Sequence, residues 1–599
     1  MKRIQFATRF VAYFPDPGDR DRDELARMAA LLARSEFHLL RQRAYLLGVI
    51  TPSSGSGESA DWLLDVFPGT AASARLAAAG FDAAQSVEEI HRKAESSAQC
   101  YNLLQPSETG FLLESDALGL KPVHIARTPG GHLLGSRIAD LLQLLPSLAE
   151  PTDTAALYEL LGFWAPLMER TLYRQIRRTL PGGCYRWTPN EGLSGKRGRA
   201  LQSATVAPLS FMDRTIATIR DAAGQSLLEK THGASQPILL ALSGGFDSRF
   251  IAALCRELHV DVRAVTYGRR HHSETRSTRA VARALALKLQ VLTQPADTTL
   301  RWLPQYLEVT EGTADPAAAS IMNLRQLPTE LGGSVLHGFG GDVQAGAHVG
   351  DFSAADYASR ESIAGAIIRH YYPASRPGLC GVFSPAPNLD EVRQDVLSGL
   401  RSDCPPYQAY LLWYLENRTR RYVATQCALL GDRLDPMMPF YDRRLFDIWN
   451  SVPPIGLTNR TVFKALMAHY YPKLARIPHP EELAPVTPNL RWQLARFYHS
   501  LPNRLLATGL GNDRARQLLL RLHHHDDTYL LSKLEAPQQR AAMLAELARL
   551  RPALKEVFGI ELSPSHATVL AADLQALRSL FAVARYAQAR LAGELPAAS

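Results

Sequence analysis

The residues best equipped for chemistry form one run, Leu242-Ser243-Gly244-Gly245-Phe246-Asp247-Ser248. Two glycines lie between hydroxyls and a carboxylate, directly after the apolar residues Leu239–Leu242. Glycine lets a backbone turn sharply and bring its N–H groups close to a ligand. Ile251, Leu254, Cys255 and Leu258 then repeat at helical spacing, so a helix N-terminus follows the loop. Its dipole and free amides suit a phosphate, and Asp247 suits a magnesium ion held against that phosphate. A magnesium nucleotide is the expected ligand.

A second run has the same design. Ser334-Val335-Leu336-His337 predicts a buried strand that ends in Gly338-Phe339-Gly340-Gly341-Asp342. In open α/β sheets ligands bind beyond the carboxyl ends of the strands, so both loops are expected to meet in one crevice. Val265-Thr266-Tyr267-Gly268 predicts a third strand end, and Glu274 opens the helix after it. The expected nucleotide-binding set is Leu242, Ser243, Gly244, Gly245, Phe246, Asp247, Ser248, Val265, Glu274, His337 and Gly338, with Asp247 and Asp342 as magnesium ligands.

The elements that must hold these residues fall into three regions. Residues 1–200 mix short strand-like runs with helices, residues 205–490 alternate strands with helices as a parallel sheet does, and residues 491–599 are helical and rich in Ala, Leu and Arg. Met212, Ile216, Ile219, Ala223 and Leu227 form an apolar helical stripe just ahead of the first strand. Thr188–Gly195 is dense in breakers and, with Lys196-Arg197-Gly198-Arg199, predicts a linker. A chain of 599 residues exceeds one ordinary core.

Composition narrows the classes. The chain is 46% hydrophobic and 21% charged, a soluble balance, and no apolar stretch approaches a membrane span. Arg9 and Asp16 interrupt any signal-like segment, so a cytoplasmic protein is expected. Six scattered cysteines without a C-x-x-C pair argue against a disulfide framework or a zinc site. The net charge of +8 comes without a basic stripe interleaved with aromatics, which argues against nucleic acid. His523-His524-His525-Asp526-Asp527 predicts a solvated patch, because consecutive helical histidines point in different directions.

The first loop lacks the lysine and spacing of a Walker A motif and resembles the SGGxDS loop of the N-type ATP pyrophosphatases. Taken with the other motifs, the chain resembles the asparagine synthetase family. Pro436–Leu445 is similar to the family's "v-P-F-L-D-x-x-L" segment and Asn450–Pro454 to its "s-l-P" ending. Asp116–Val123 resembles the strand turn of the family's glutaminase-like domain, and Arg170–Ile176 with Pro181-Gly182-Gly183 resembles its "T-L-f-x-g-I-r-r-l-p-P-G" run. The resemblance implies an α/β and α+β chain: an N-terminal glutaminase-like (Ntn-type) β-sandwich domain with helices, then a parallel-sheet ATP pyrophosphatase synthetase domain with a helical C-terminal region packed on it.

Three departures from the family shape the functional expectation. A working glutaminase needs an N-terminal cysteine nucleophile, whereas Met1 is followed by Lys2 and the first cysteine is Cys100. Phe339 stands where relatives carry a tyrosine or glutamate and cannot take a proton. Glu416, in the Glu416–Arg421 run, is then either a base or a structural carboxylate paired with an arginine. The family's adenylate-attack lysine is replaced in an Arg476-Ile477-Pro478-His479 stretch, leaving a protonated His479, Lys464 or Lys473 as substitutes. The expected catalytic set is Asp247, Asp342, Glu416 and Lys464.

These departures resemble the lasso peptide cyclases, which often carry an "E-N-R-x-R-r" segment. That branch implies use of ATP and Mg²⁺ to adenylate an Asp or Glu side chain of a ribosomally made precursor peptide, followed by attack of the peptide's α-amine. A leader peptidase and a leader-binding protein are the partners it implies. Residues between Gly346 and Ala409 and the C-terminal region are the expected walls of a peptide cavity. The competing readings are an amide ligase for a small carboxylic acid (β-lactam synthetase-like or asparagine synthetase-like) and a non-catalytic scaffold.

Overall fold

The computed structural model describes residues 4–7, 9–15, 21–33, 37–41, 46–50, 62–66, 87–97, 100–107, 109–197, 212–234, 237–268, 273–294, 298–327, 333–372, 379–386, 388–431, 433–480, 482, 484–486 and 528–593. The first twelve strands are β1 (Ile4–Ala7), β2 (Arg9–Pro15), β3 (His38–Arg41), β4 (Leu46–Ile50), β5 (Trp62–Val66), β6 (Tyr101–Ser107), β7 (Gly110–Ser115), β8 (His124–Thr128), β9 (Gly131–Gly135), β10 (Ile176–Arg178), β11 (Gly183–Thr188) and β12 (Gly192–Arg197). They form two six-stranded sheets, β1-β5-β6-β7-β11-β12 and β10-β8-β9-β2-β4-β3.

Strand alternation explains why the sheets face each other. Phe10, Ala12 and Phe14 of β2 share an apolar cluster with Leu63, Leu104, Phe111, Leu113, Tyr185 and Trp187 of the other sheet. The intervening Val11 and Tyr13 point the opposite way, into a second cluster with Met28, Leu32 and Leu141 from covering helices. Both faces of this sheet are therefore buried.

The stretch Thr188–Gly195 is not a linker. It closes an antiparallel hairpin in which β11 pairs with β12 from Gly183↔Arg197 to Thr188↔Gly192. The breakers are its turn residues: Gly192 takes φ +70°, and Glu191 N–H donates to Thr188 Oγ1 at 3.2 Å. Lys196 and Arg197 belong to β12, while Gly198 and Arg199 lie outside the described residues.

The second region holds β13 (Ile238–Ala241), β14 (Val262–Gly268), β15 (Leu289–Thr293), β16 (Ser334–His337) and, after the short β17 (Phe383–Ser384), β18 (Asp435–Met437). Their order is β15-β14-β13-β16-β18, and every pair is parallel. The chain winds outward from β13 in one direction and then in the other. The reversal falls between β13 and β16, the two strands that end in glycine–carboxylate loops. The predicted stripe lies on helix Met212–Thr231, where Ile216, Ile219, Ala223 and Leu227 are buried.

At the C-terminus, helices Thr528–Phe558 and Leu574–Leu591 pack on each other. They touch the first region as well as the second. Gln575 donates to the Leu161 carbonyl at 2.9 Å and Arg590 to the Tyr173 hydroxyl at 2.7 Å, both in the first region. Ser579 donates to Asp315 at 2.7 Å in the second. The helix thus clamps two regions together. The histidine run 523–525 and residues 491–522 fall outside the described residues. The stretch between Gly346 and Ala409 forms helices Arg360–Tyr371 and Leu389–Gly399 with short turns.

Candidate active site

The loop after β13 is held by its own hydroxyls. Ser243 N–H donates to Ser248 Oγ at 2.9 Å, Ser248 Oγ–H returns to the Ser243 carbonyl at 3.1 Å, and Gly245 N–H donates to Ser243 Oγ at 3.1 Å. Gly245 caps helix Phe246–Glu257 in an extended conformation, so that helix aims its N-terminus at the crevice. Glu274 accepts the Gly244 N–H at 2.6 Å. Leu242 is buried, and its N–H donates to the Val265 carbonyl at 2.9 Å, which ties the loop to the end of β14.

The loop after β16 meets it directly. Asp342 N–H donates to Asp247 Oδ2 at 2.8 Å, and Asp342 Oδ1 accepts the Val343 N–H at 2.8 Å. Only glycine permits this approach. A Cβ on Gly338 would stand 2.7 Å from Ser248 N, and one on Gly341 2.8 Å from Asp247 Cγ. Two carboxylates, a ring of backbone amides and a glycine cradle at a topological switch point fit a magnesium–phosphate group. Asp247 and Asp342 are the residues that would hold the metal.

The sequence missed Arg249, whose guanidinium is fully buried beneath the loop. It donates to the carbonyls of Gly244 (2.5 Å), Leu474 (2.9 Å), Ile477 (2.9 Å) and Pro478 (3.3 Å). It therefore ties the first glycine to the segment carrying His479. Burial pulls its pKa down to about 10, which leaves it charged near neutrality.

His479 packs on Phe246, ring centroids 4.6 Å apart. Burial, then the charge of Arg460, pushes its pKa down to about 3. A protonated His479 acting as a cation at neutral pH is thereby corrected: the ring is neutral. Lys464 lies nearby, its ammonium 2.9 Å from Glu482, which also takes Arg460 at 2.8 Å. The Arg460 guanidinium stands 5.2 Å from the Phe246 ring centre. Lys473 is exposed on the short helix Pro472–Ala475.

A linkage prediction follows for His479. Its folded pKa lies below its ordinary value of 6.5, so between about pH 6.5 and 3 the unfolded chain binds more protons. Its stability contribution is complete above pH 6.5 and is lost as pH falls, on the order of 3 kcal/mol at the low end. Denaturant midpoints measured from pH 7 to 4 should fall less steeply in His479→Gln than in the parent chain.

Glu416 lies where two regions meet. Its carboxylate is fully buried, 3.2 Å from Arg197 of β12, and burial raises its pKa despite that neighbour. Neither carboxylate oxygen has a hydrogen-bond partner among the described residues. The whole run shares that position, wound as a π-helix over Leu415–Val423. Asn417 accepts the Met168 N–H at 2.8 Å, Arg420 donates to Gly119 at 3.1 Å and to Thr179, and Arg421 donates to Met168 at 2.6 Å and Arg170 at 2.7 Å. Arg418 lies 4.1 Å from the Trp164 ring centre. Five polar side chains of this run, Glu416, Asn417, Arg418, Arg420 and Arg421, dock the synthetase region onto the first.

Phe339 is buried, and its hydrocarbon ring has no proton acceptor. His337 ends β16 and is pushed down to about 4 by desolvation. Six residues beyond Asp342 stands a pair that sequence reasoning did not single out: His348, its Nδ1 3.2 Å from Asp351 Oδ2, with its ring stacked on Tyr414 at 4.4 Å.

A doubly wound sheet with two carboxylate loops at its switch point defines a nucleotide-type ligand crevice. Residues 218–476 match the asparagine synthase family model, which supports an ATP-dependent amide ligase. No curated protein matches the chain. Two solved structures were found similar: glutamine phosphoribosylpyrophosphate amidotransferase from B. subtilis with ADP and GMP, and an allosteric regulatory enzyme of purine biosynthesis. The first has 11% identity and a TM-score of 0.21, over 47% of this chain and 65% of that one. The second has 9% identity and a TM-score of 0.21, over 48% and 82%. At those scores neither carries an argument about this chain. No helix among the described residues is long and apolar enough to cross a membrane.

Proposed function

We propose that this protein is an ATP-dependent macrolactam synthetase of the lasso peptide type. It joins an Asp or Glu side-chain carboxylate of a precursor peptide to the peptide's own α-amine and releases AMP and pyrophosphate. The observation that carries the reading is the 2.8 Å bond from Asp342 N–H to Asp247 Oδ2, which joins the two phosphate-facing loops into one site. A carboxylate does not condense with an amine in water until its oxygen is made a good leaving group. The amides of Gly244 and Gly245, held here by Glu274 and Ser243, would exchange those partners for the departing pyrophosphate, beside the Phe246 amide at the helix N-terminus. Magnesium, when bound by Asp247 and Asp342, offsets phosphate charge.

The attacking amine must be neutral. With Phe339 aprotic, we assign that proton to His348, whose Nδ1 lies 3.2 Å from Asp351. His348→Asn should leave ATP–pyrophosphate exchange within about twofold and slow amide formation on the order of 10²-fold. A leader peptidase and a leader-binding protein would supply the trimmed peptide. The test is incubation with ATP, Mg²⁺ and a peptide bearing a free amine and an internal acid. A product lighter by one water, formed with equimolar AMP, supports the reading; AMP release without cyclisation contradicts it.

A further inference from the structure

A cavity of about 550 Å³ opens between the sheet edges of the first region, walled by β8 and β10 on one side and β11 and β12 on the other. Four arginines line it, Arg127, Arg174, Arg177 and Arg178, against one carboxylate, Glu169. That carboxylate is already engaged, accepting the Tyr185 hydroxyl at 2.6 Å. Arg174 and Arg177 are exposed at the rim, and no carboxylate pairs with either among the described residues.

Arg178 forms the inner wall and is more than nine-tenths buried. One of its terminal nitrogens donates to the carbonyls of Gly119 (3.3 Å) and Leu120 (3.2 Å), but its buried Nε has no hydrogen-bond partner. Further positive charge stands behind it. Arg420 and Arg421 are buried on the docking run, and their repulsion, after desolvation, drives the Arg178 pKa down. Asp116 offsets part of this charge; the excess remains positive.

We propose that this cavity binds a small ligand carrying more than one oxyanion, either carboxylates or phosphates. Its size matches a small-molecule site, and guanidinium groups pair bidentately with both kinds of oxyanion. The site is separate from the Asp247–Asp342 crevice and does not depend on the proposed reaction. It also touches the docking run, because Thr179, which lines the cavity, accepts a hydrogen bond from Arg420. Ligand charge should therefore relieve the crowding of Arg178, Arg420 and Arg421 and tighten that junction.

The test is calorimetric titration of the full chain at low salt with citrate and, separately, inorganic phosphate. Saturable binding of either is expected, weakened at least tenfold in the Arg174→Glu/Arg177→Glu double variant. Both side chains are exposed, so an unchanged melting curve should confirm the fold. Citrate alone binding assigns a polycarboxylate ligand, and phosphate alone a phosphorylated one. No binding of either, or undiminished binding in the double variant, overturns the proposal; the phosphate loop at Ser243 would be indifferent to those two substitutions.

Discussion

Asp247→Asn should lower ATP–pyrophosphate exchange by at least about 10²-fold while the protein stays folded. The asparagine oxygen can still accept the Asp342 N–H that Asp247 Oδ2 takes at 2.8 Å, so the two loops keep their contact. What disappears is the negative charge that would hold magnesium against the phosphates. Asp342→Asn should act alike, since its Val343 N–H contact also survives as an amide oxygen. The double variant should be little worse than either single one, because residues that act as a unit are not additive. Exchange rates with melting curves as a fold control check this. Rates within threefold of the parent would remove both aspartates from the chemistry.

Arg249→Leu should produce the largest structural effect in the synthetase region. Two effects compete. Removing a buried guanidinium relieves its desolvation, which already pulls the group down to about 10. Against that, the Gly244 and Ile477 carbonyls lose this donor, and each buried acceptor left unsatisfied costs about 1–3 kcal/mol. The second effect wins, with a net loss of about 2 kcal/mol in denaturant unfolding. Exchange should fall tenfold or more, because Gly244 no longer has a fixed anchor to the His479 segment. Arg249→Lys keeps the charge but lacks the planar fork, so it should fall between the two.

The parts of the site legible in the sequence were those with local causes. An apolar run ending in glycines and a carboxylate announces a strand-end loop, and both such loops fall at the sheet's switch point. The stripe on Met212–Thr231 was equally direct, since period alone defines it. Other features depended on partners far along the chain. Arg249 is one residue past the loop, yet its work is set by carbonyls some 225 residues away. Glu416 carries no mark that announces its neighbour Arg197, which β12 brings in from the first region. The breakers of Thr188–Gly195 suit a linker or a hairpin turn alike, and cross-strand pairing made them the latter. His348 and Asp351 are ordinary loop residues until the fold stacks the ring on Tyr414.

ATP–pyrophosphate exchange with labelled pyrophosphate and Mg²⁺ tests the central claim most directly, run with acidic peptides, the same peptides with Asp→Asn and Glu→Gln, and free aspartate. The predicted result is exchange that requires the internal acid of a peptide and vanishes with its amide counterpart. Exchange driven by free aspartate, or none with any substrate, would contradict a peptide-activating synthetase.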